Sequence, residues 1–190
     1  VVLDTETGGL DAAQHSILSL GLVSWDGAHQ VELFIAEPTF HTNPRSMEVN
    51  KIDLDQVRRE GLSPNEACDA LEEFLSKISG PRPLLVAGHN ISFDLSFIRR
   101  LYRLAGRSLP EAFSHRSVDT HTLLWALVSM GRLPDEARSS DGAFRYFDVA
   151  PSSELRHTAL GDAIATRALL EKLLEMFSVE GPLHALESIS

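Results

Sequence analysis

Four acidic residues and one histidine occupy positions from which they could do chemistry together. The chain opens Val1-Val2-Leu3-Asp4-Thr5-Glu6-Thr7, followed by Gly8-Gly9. On an extended strand, residues two apart face the same side, so Asp4 and Glu6 stand side by side, roughly 6–7 Å apart. Like charges that close repel unless a proton or a cation lies between them. Asp94 shares helical spacing with Ile98, Leu101 and Ala105, and Asp162 with Leu169, Leu173 and Met176. Both carboxylates therefore point inward, which is costly unless they are paired or metal-bound. Open α/β sheets place their sites at strand C-termini, where all four acids could meet. Oxygen-only ligands favour Mg²⁺ or Mn²⁺ over zinc, and two such ions ~3.5–4 Å apart can hold the attacking and leaving oxygens of a phosphodiester. The remaining need is a base. His157 is the candidate, because imidazole titrates near neutral pH. Five residues on a helix turn through ~140°, so His157 and Asp162 cannot face one site from a single regular helix. His157 is expected on the loop just before it, with Thr158 as the N-cap.

The elements that must position these groups follow from local pattern. VVLDTET reads as a strand. HSILSLGLVSWDG and HQVELFIAEP read as two more around an Asp26-Gly27 turn. Thr39 to Asn50, rich in Pro, Asn, Thr and Ser, is expected to be a loop, and Asp53 to Glu60 a short helix. Ser63-Pro64-Asn65-Glu66 is a helix start, with apolar spacing carried through Ala67, Leu71, Phe74, Leu75 and Ile78. PLLVAG is a strand, HNISFDLSFIRRLYRLAG turns into a helix ending near Gly106, and HRSVD is a strand leading into a helix capped by Asp119. GAFRYF reads as a short helix, and Thr158 to Phe177 as a long one. Strand, hairpin, helix, strand, helix, strand, helices is the order of an α/β domain with a mixed sheet.

The bulk properties narrow the class. With 190 residues and 43% hydrophobic content, the chain has the composition of one soluble globular domain. Cys68 is the single cysteine, so no internal disulfide forms, which fits a reducing compartment. No apolar run is long enough to span a membrane and no secretory signal is visible, so a cytoplasmic protein is expected. The net charge of -10 argues against binding nucleic acid through the whole surface. It is compatible with gripping one strand end through cations and a local basic patch.

DTETGGL, HNISFD and HTALGD resemble, in order, the three motifs of the DEDDh 3′→5′ exonucleases, a family that includes the proofreading subunit of bacterial DNA polymerase III and ribonuclease T. The resemblance implies a ribonuclease H-like fold: a five-stranded mixed sheet, its second strand antiparallel, flanked by helices. It implies an exonuclease domain over 1–178, with 179–190 as a C-terminal tail. Asp4, Glu6, Asp94 and Asp162 would hold two Mg²⁺, or Mn²⁺, and His157 would be the general base. Main-chain groups near Thr5 and Thr7 would hold the 3′-terminal nucleotide, Gly8 would allow its close approach, and Leu10 would be a stacking wedge. The His89-Asn90 pair has two readings, a turn or, through Asn90, a further substrate contact. The partners implied are DNA or RNA 3′ ends and a DNA polymerase, in replication or repair. An exoribonuclease, a polymerase-docking module with secondary hydrolysis, and an inactive metal-binding domain are the alternatives. Lys51 and Asp148 depart from the pattern, standing where glycine is common.

Two further groups have an ordinary and a functional reading. Arg100, Arg103 and Arg107 share a helix stripe next to Arg99, either a solvated face or a phosphate contact. Phe93, Phe97, Phe144, Tyr146 and Phe147 could stack on bases, but aromatics at helical spacing usually pack inward.

Overall fold

A computed structural model of the chain describes residues 1–178. The tail expected over 179–190 lies outside the described residues. Five strands form one mixed sheet in the order β3-β2-β1-β4-β5. They are β1 (Val2–Thr7), β2 (Ile17–Val23), β3 (Gln30–Phe34), β4 (Leu84–Gly88) and β5 (Phe113–Asp119). β2 runs antiparallel to both β1 and β3, whereas β1, β4 and β5 are mutually parallel. This is the mixed sheet expected from the element order.

The register of β1 on β2 divides the sheet into two chemically distinct faces. Leu3 pairs with Leu22 and Thr5 with Leu20 on one side, while Asp4 pairs with Gly21 and Glu6 with Ser19 on the other. The first face packs under α3 (Pro64–Ile78) and α4 (Ile91–Leu104), burying Leu3, Leu20, Leu22, Leu71, Phe97, Ile98 and Leu101. The second face lies under α7 (Ala159–Ser178), through Val2, Val23, Ala163 and Leu170.

α7 carries two apolar stripes. The one that includes Leu169 and Leu173 was expected to face the sheet. It packs instead against α5 (Thr120–Ser129) and α6 (Ser140–Tyr146), together with Leu124, Leu127 and Phe144. Asp162 reaches the strands because the first turn of α7 rests directly on Gly21. A Cβ there would lie 2.2 Å from the Ala159 carbonyl carbon and 2.3 Å from the Leu160 nitrogen. The glycine inside ILSLGLV is thus the seat of α7, a close backbone approach of the kind a mid-strand glycine permits.

Two shorter helices complete the site side: α1 (Pro44–Asn50) and α2 (Leu54–Glu60). α1 corrects the expectation of a loop over 39–50. Asn43 accepts from the Ser46 N–H and Pro44 fills the first turn, so residues that look like loop formers are acting as a helix start. α2 starts on Asp53, whose carboxylate accepts from the N–H groups of Asp55 and Gln56. α3 has a full capping box between Ser63 and Glu66. No described helix is long and apolar enough to cross a membrane.

Candidate active site

β1 presents Asp4 and Glu6 on the α7 face, and the first turn of α7 brings Asp162 to them. One carboxylate oxygen from each of the three lies within 4.8 Å of the others. Asp94 arrives from α4, on the opposite face, and is buried. Its Oδ1 accepts from the Thr5 N–H at 2.9 Å and from the Thr5 hydroxyl at 2.7 Å. The charge of Asp94 is felt at Asp4, but the structure leaves Asp94 outside the three-carboxylate group.

The electrostatics are those of an acidic cluster that a single guanidinium, Arg156, only partly offsets. Burial, followed by the charges of Asp94, Asp162 and Glu6, pushes the Asp4 carboxyl well above its ordinary value. Glu6 is pushed up to about 8, first by burial and then by Asp162. Asp94 rises to about 7 through burial, although its bonds from Thr5 oppose the rise. Asp162 is also raised by burial, against the pull of Arg156. Asp162 Oδ1 is buried and accepts no hydrogen bond. An orphaned carboxylate oxygen beside two more carboxylates is a donor set suited to a hard divalent cation such as Mg²⁺ or Mn²⁺. The residues present therefore fit the ions that the motifs imply.

His157 lies on the turn before α7, with a left-handed φ of 65°. Thr158 caps the helix, its hydroxyl accepting from the Gly161 N–H at 3.0 Å. Both expectations drawn from the five-residue spacing describe the structure. His157 is close enough to Asp162 to lower that carboxyl. It also lines a cavity of about 290 Å³ with Ser19, Glu32, Asn50 and Lys51. Ser19 Oγ is buried there without a partner, and Glu32 accepts from the Leu160 N–H at the start of α7.

The expected substrate contacts divide. Leu10 is 80% exposed just past the strand end. Gly8 and Gly9 are needed for close packing, not for an unusual φ. A Cβ on Gly8 would lie 2.4 Å from the His41 carbonyl oxygen, and one on Gly9 2.3 Å from the His15 ring. Thr5 and Thr7 are buried and internally engaged. The Thr5 N–H is taken by Asp94, the Thr7 carbonyl accepts from Asn50 Nδ2 at 3.1 Å, and the Thr7 hydroxyl donates to the Gly9 carbonyl. These main-chain groups hold the strand end to α4 and α1. Asn90 is exposed at the head of α4 in a left-handed conformation (φ 58°), and its N–H donates to Asp119.

The arginine stripe divides: Arg103, with neighbouring Arg99, is exposed, whereas Arg100 and Arg107 are engaged within the protein. Arg100 is buried on Glu37, and Arg107 donates to Asp69 and Glu72. Among the aromatics, Phe97 and Phe144 are core, whereas Tyr146 is exposed. The residue that sequence reasoning missed is Arg156. Its Nη1 donates to Asp162 Oδ2, while its Nε and Nη2 donate to Asp141 Oδ1 at 3.0 and 2.6 Å. Its only sequence signal is adjacency to His157.

Sheet order and site together define the ribonuclease H-like class of α/β folds. Structures of that class superpose over nearly the whole chain. *Escherichia coli* exonuclease I in complex with a dT13 oligonucleotide aligns with 98% of this chain and 45% of its own, at a TM-score of 0.73 and 15% identity. Cell-death related nuclease 4 aligns with 92% and 63%, at a TM-score of 0.72 and 12% identity. Within that class the chain belongs to the exonuclease family RNase_T, whose model matches residues 1–170. Among its relatives, the 3′-5′ DNA exonuclease Cap18 of *Escherichia coli* is 28% identical over 55% of this chain and 57% of its own. The DNA polymerase III subunit epsilon of *Treponema pallidum* is 29% identical over 68% and 57%. The matched segment thus spans little more than half of either relative.

Proposed function

We propose that the chain is a divalent-cation-dependent 3′→5′ exonuclease that removes nucleoside 5′-monophosphates from single-stranded or frayed DNA ends. The observation that carries this reading is the convergence of Asp4, Glu6 and Asp162 within 4.8 Å, with one Asp162 oxygen buried and unpartnered. Asp4, Glu6 and Asp162, with Asp94 beside Asp4, would hold two cations. When bound, these ions supply Lewis-acid charge to the phosphodiester and its attacking water. Thr5 fixes the Asp94 carboxylate through two hydrogen bonds. His157 accepts the proton of the attacking water as its oxygen bonds to phosphorus and the bond from phosphorus to the 3′ oxygen breaks. Leu10, exposed beyond the strand end, stacks on the terminal base, and Gly8 keeps the backbone there close.

DNA is favoured over RNA as substrate because Cap18 is named a DNA exonuclease and exonuclease I is seen with a DNA oligonucleotide. A polymerase partner rests on the epsilon relative alone. The test is digestion of a 5′-labelled single-stranded DNA and its RNA counterpart, with Mg²⁺, Mn²⁺ or EDTA. A ladder shortening from the 3′ end, lost in EDTA and in Asp162→Ala, is expected. Undiminished digestion by Asp162→Ala would overturn the assignment, and preferential loss of the RNA would move it to an exoribonuclease.

A further inference from the structure

Arg156 joins two carboxylates of different standing. Asp162 belongs to the acidic cluster. Asp141 is on the first turn of α6 and half-exposed. One guanidinium bonds both, with Nη1 on Asp162 and Nε and Nη2 on Asp141, and it lies 5.5 Å from the centre of the Phe144 ring. The side chain itself is largely buried. Arg156 is the cation that pulls down the otherwise raised carboxyls of Asp4 and Glu6. Of the two Asp162 oxygens, Oδ1 has no partner and Oδ2 is covered by Arg156.

We infer that Arg156 is a tethered internal counter-charge. It substitutes for a divalent cation at Asp162, and it must withdraw onto Asp141 for that cation to bind with full access to the carboxylate. Two positive charges cannot share one carboxylate oxygen without strong repulsion, so the guanidinium and the ion compete. Asp141 gives the displaced guanidinium a partner already in place, two hydrogen bonds strong. Arg156 is therefore a positioning residue that sets cation affinity and holds the cluster together without a metal. It also precedes His157, so its withdrawal moves the turn that carries the base. This inference rests on the reading of Asp162 as a cation ligand.

The competition makes predictions of opposite sign for its two ends. Arg156→Gln removes the competitor and should tighten Mn²⁺ binding, measured by calorimetry, by about tenfold. The same variant should melt at a lower temperature in EDTA than the parent and gain more from added Mn²⁺. Asp141→Asn leaves Arg156 with Asp162 as its sole carboxylate and should weaken Mn²⁺ binding severalfold. That weakening should vanish in the Arg156→Gln background, since it acts through the guanidinium and not through the lost charge of Asp141. A purely structural Arg156 predicts instead that both variants bind Mn²⁺ more weakly and that their effects add. That result would overturn the inference, as would unchanged affinity in Arg156→Gln. Should the parent bind no Mn²⁺, or Asp162→Ala bind it as well as the parent, the cation-ligand reading of Asp162 falls and this inference with it.

Discussion

Among the described residues, two charge centres are built to opposite rules. In one, Glu37 and Arg100 are 6% and 8% exposed, and every strong partner is met. Glu37 Oε1 accepts from the Ile17 N–H and Arg100 Nε, and Oε2 from the Ser16 hydroxyl and Arg100 Nη2, all within 3.0 Å. Arg100 Nη1 adds a bond to the Ala12 carbonyl at 3.2 Å. In the other, Asp4, Glu6 and Asp162 share one guanidinium, and an Asp162 oxygen has no partner at all. A buried charge pair is tolerated when geometry and hydrogen bonds are complete, as at Glu37. A cluster left incomplete, with its carboxyls pushed upward, is the kind of centre that marks a functional site. The closed centre serves the open one. It clasps Ala12 and Ser16, the far side of the loop that begins at Gly8 and exposes Leu10, and the Gly8 N–H bonds the Ser16 carbonyl.

The sharpest way to separate the two centres is to disable one at a time. His157→Ala should lower the exonuclease rate by roughly 10²–10⁴-fold, the usual contribution of a general base, with little change in melting temperature. Initial rates on labelled single-stranded DNA at saturating Mg²⁺ measure it. A parent-like rate would remove His157 from the chemistry.

Glu37→Ala should do the reverse. It strands the Arg100 guanidinium in the core and should cost about 3–5 kcal/mol of stability in chemical denaturation. What activity survives should show a raised KM more than a lowered kcat, because the loop carrying Leu10 loses its clasp. A loss below 1 kcal/mol would mean that the two centres are less different than their hydrogen bonds say.

The comparison sharpens further with pH. Glu6 and Asp94 are pushed up to about 8 and about 7, and Asp4 well above its ordinary value, chiefly by burial. In the unfolded chain these groups titrate near 4. Raised carboxyls favour the fold fully below about pH 4, and the benefit is lost as pH rises through the folded values. The melting temperature in EDTA should therefore fall between pH 5 and pH 8.5. Mn²⁺ should flatten the curve by supplying the missing positive charge, and Asp4→Asn should reduce its slope in EDTA. Melting curves that are flat with pH in EDTA would contradict the account of the open centre.

Much of the open centre was legible because its signals are local. Alternation put Asp4 and Glu6 on one face, and the spacing of His157 from Asp162 forced the histidine off the helix. Those inferences need only the periods of strand and helix. The closed centre was illegible for the same reason in reverse. Glu37 lies 63 residues before Arg100, and a helical stripe of arginines looks alike whether it meets water or a buried glutamate. Arg156 was hidden too, since it lies on a turn and its partner Asp141 is 15 residues away on α6. α1 was obscured by composition, because capping residues and loop residues are the same types.

The smallest effect expected comes from two departures from the family pattern, and it tests the frame around the open centre. Lys51 and Asp148 stand where the resemblance leads one to expect glycine, and both adopt left-handed backbone, with φ of 55° and 54°. The fold has kept the glycine geometry and changed the residue. Lys51 closes α1, its N–H bonding the Met47 carbonyl, and it lines the same cavity as His157. Asp148 follows α6 by two residues. A Cβ in this region costs about 1–2 kcal/mol, part of which glycine returns through its freer unfolded state. Lys51→Gly and Asp148→Gly should each stabilise the protein by about 0.5–1 kcal/mol in urea titration, additively, since they lie on separate elements. A destabilised Lys51→Gly would mean that its side chain contributes more to the cavity beside His157 than its backbone strain costs.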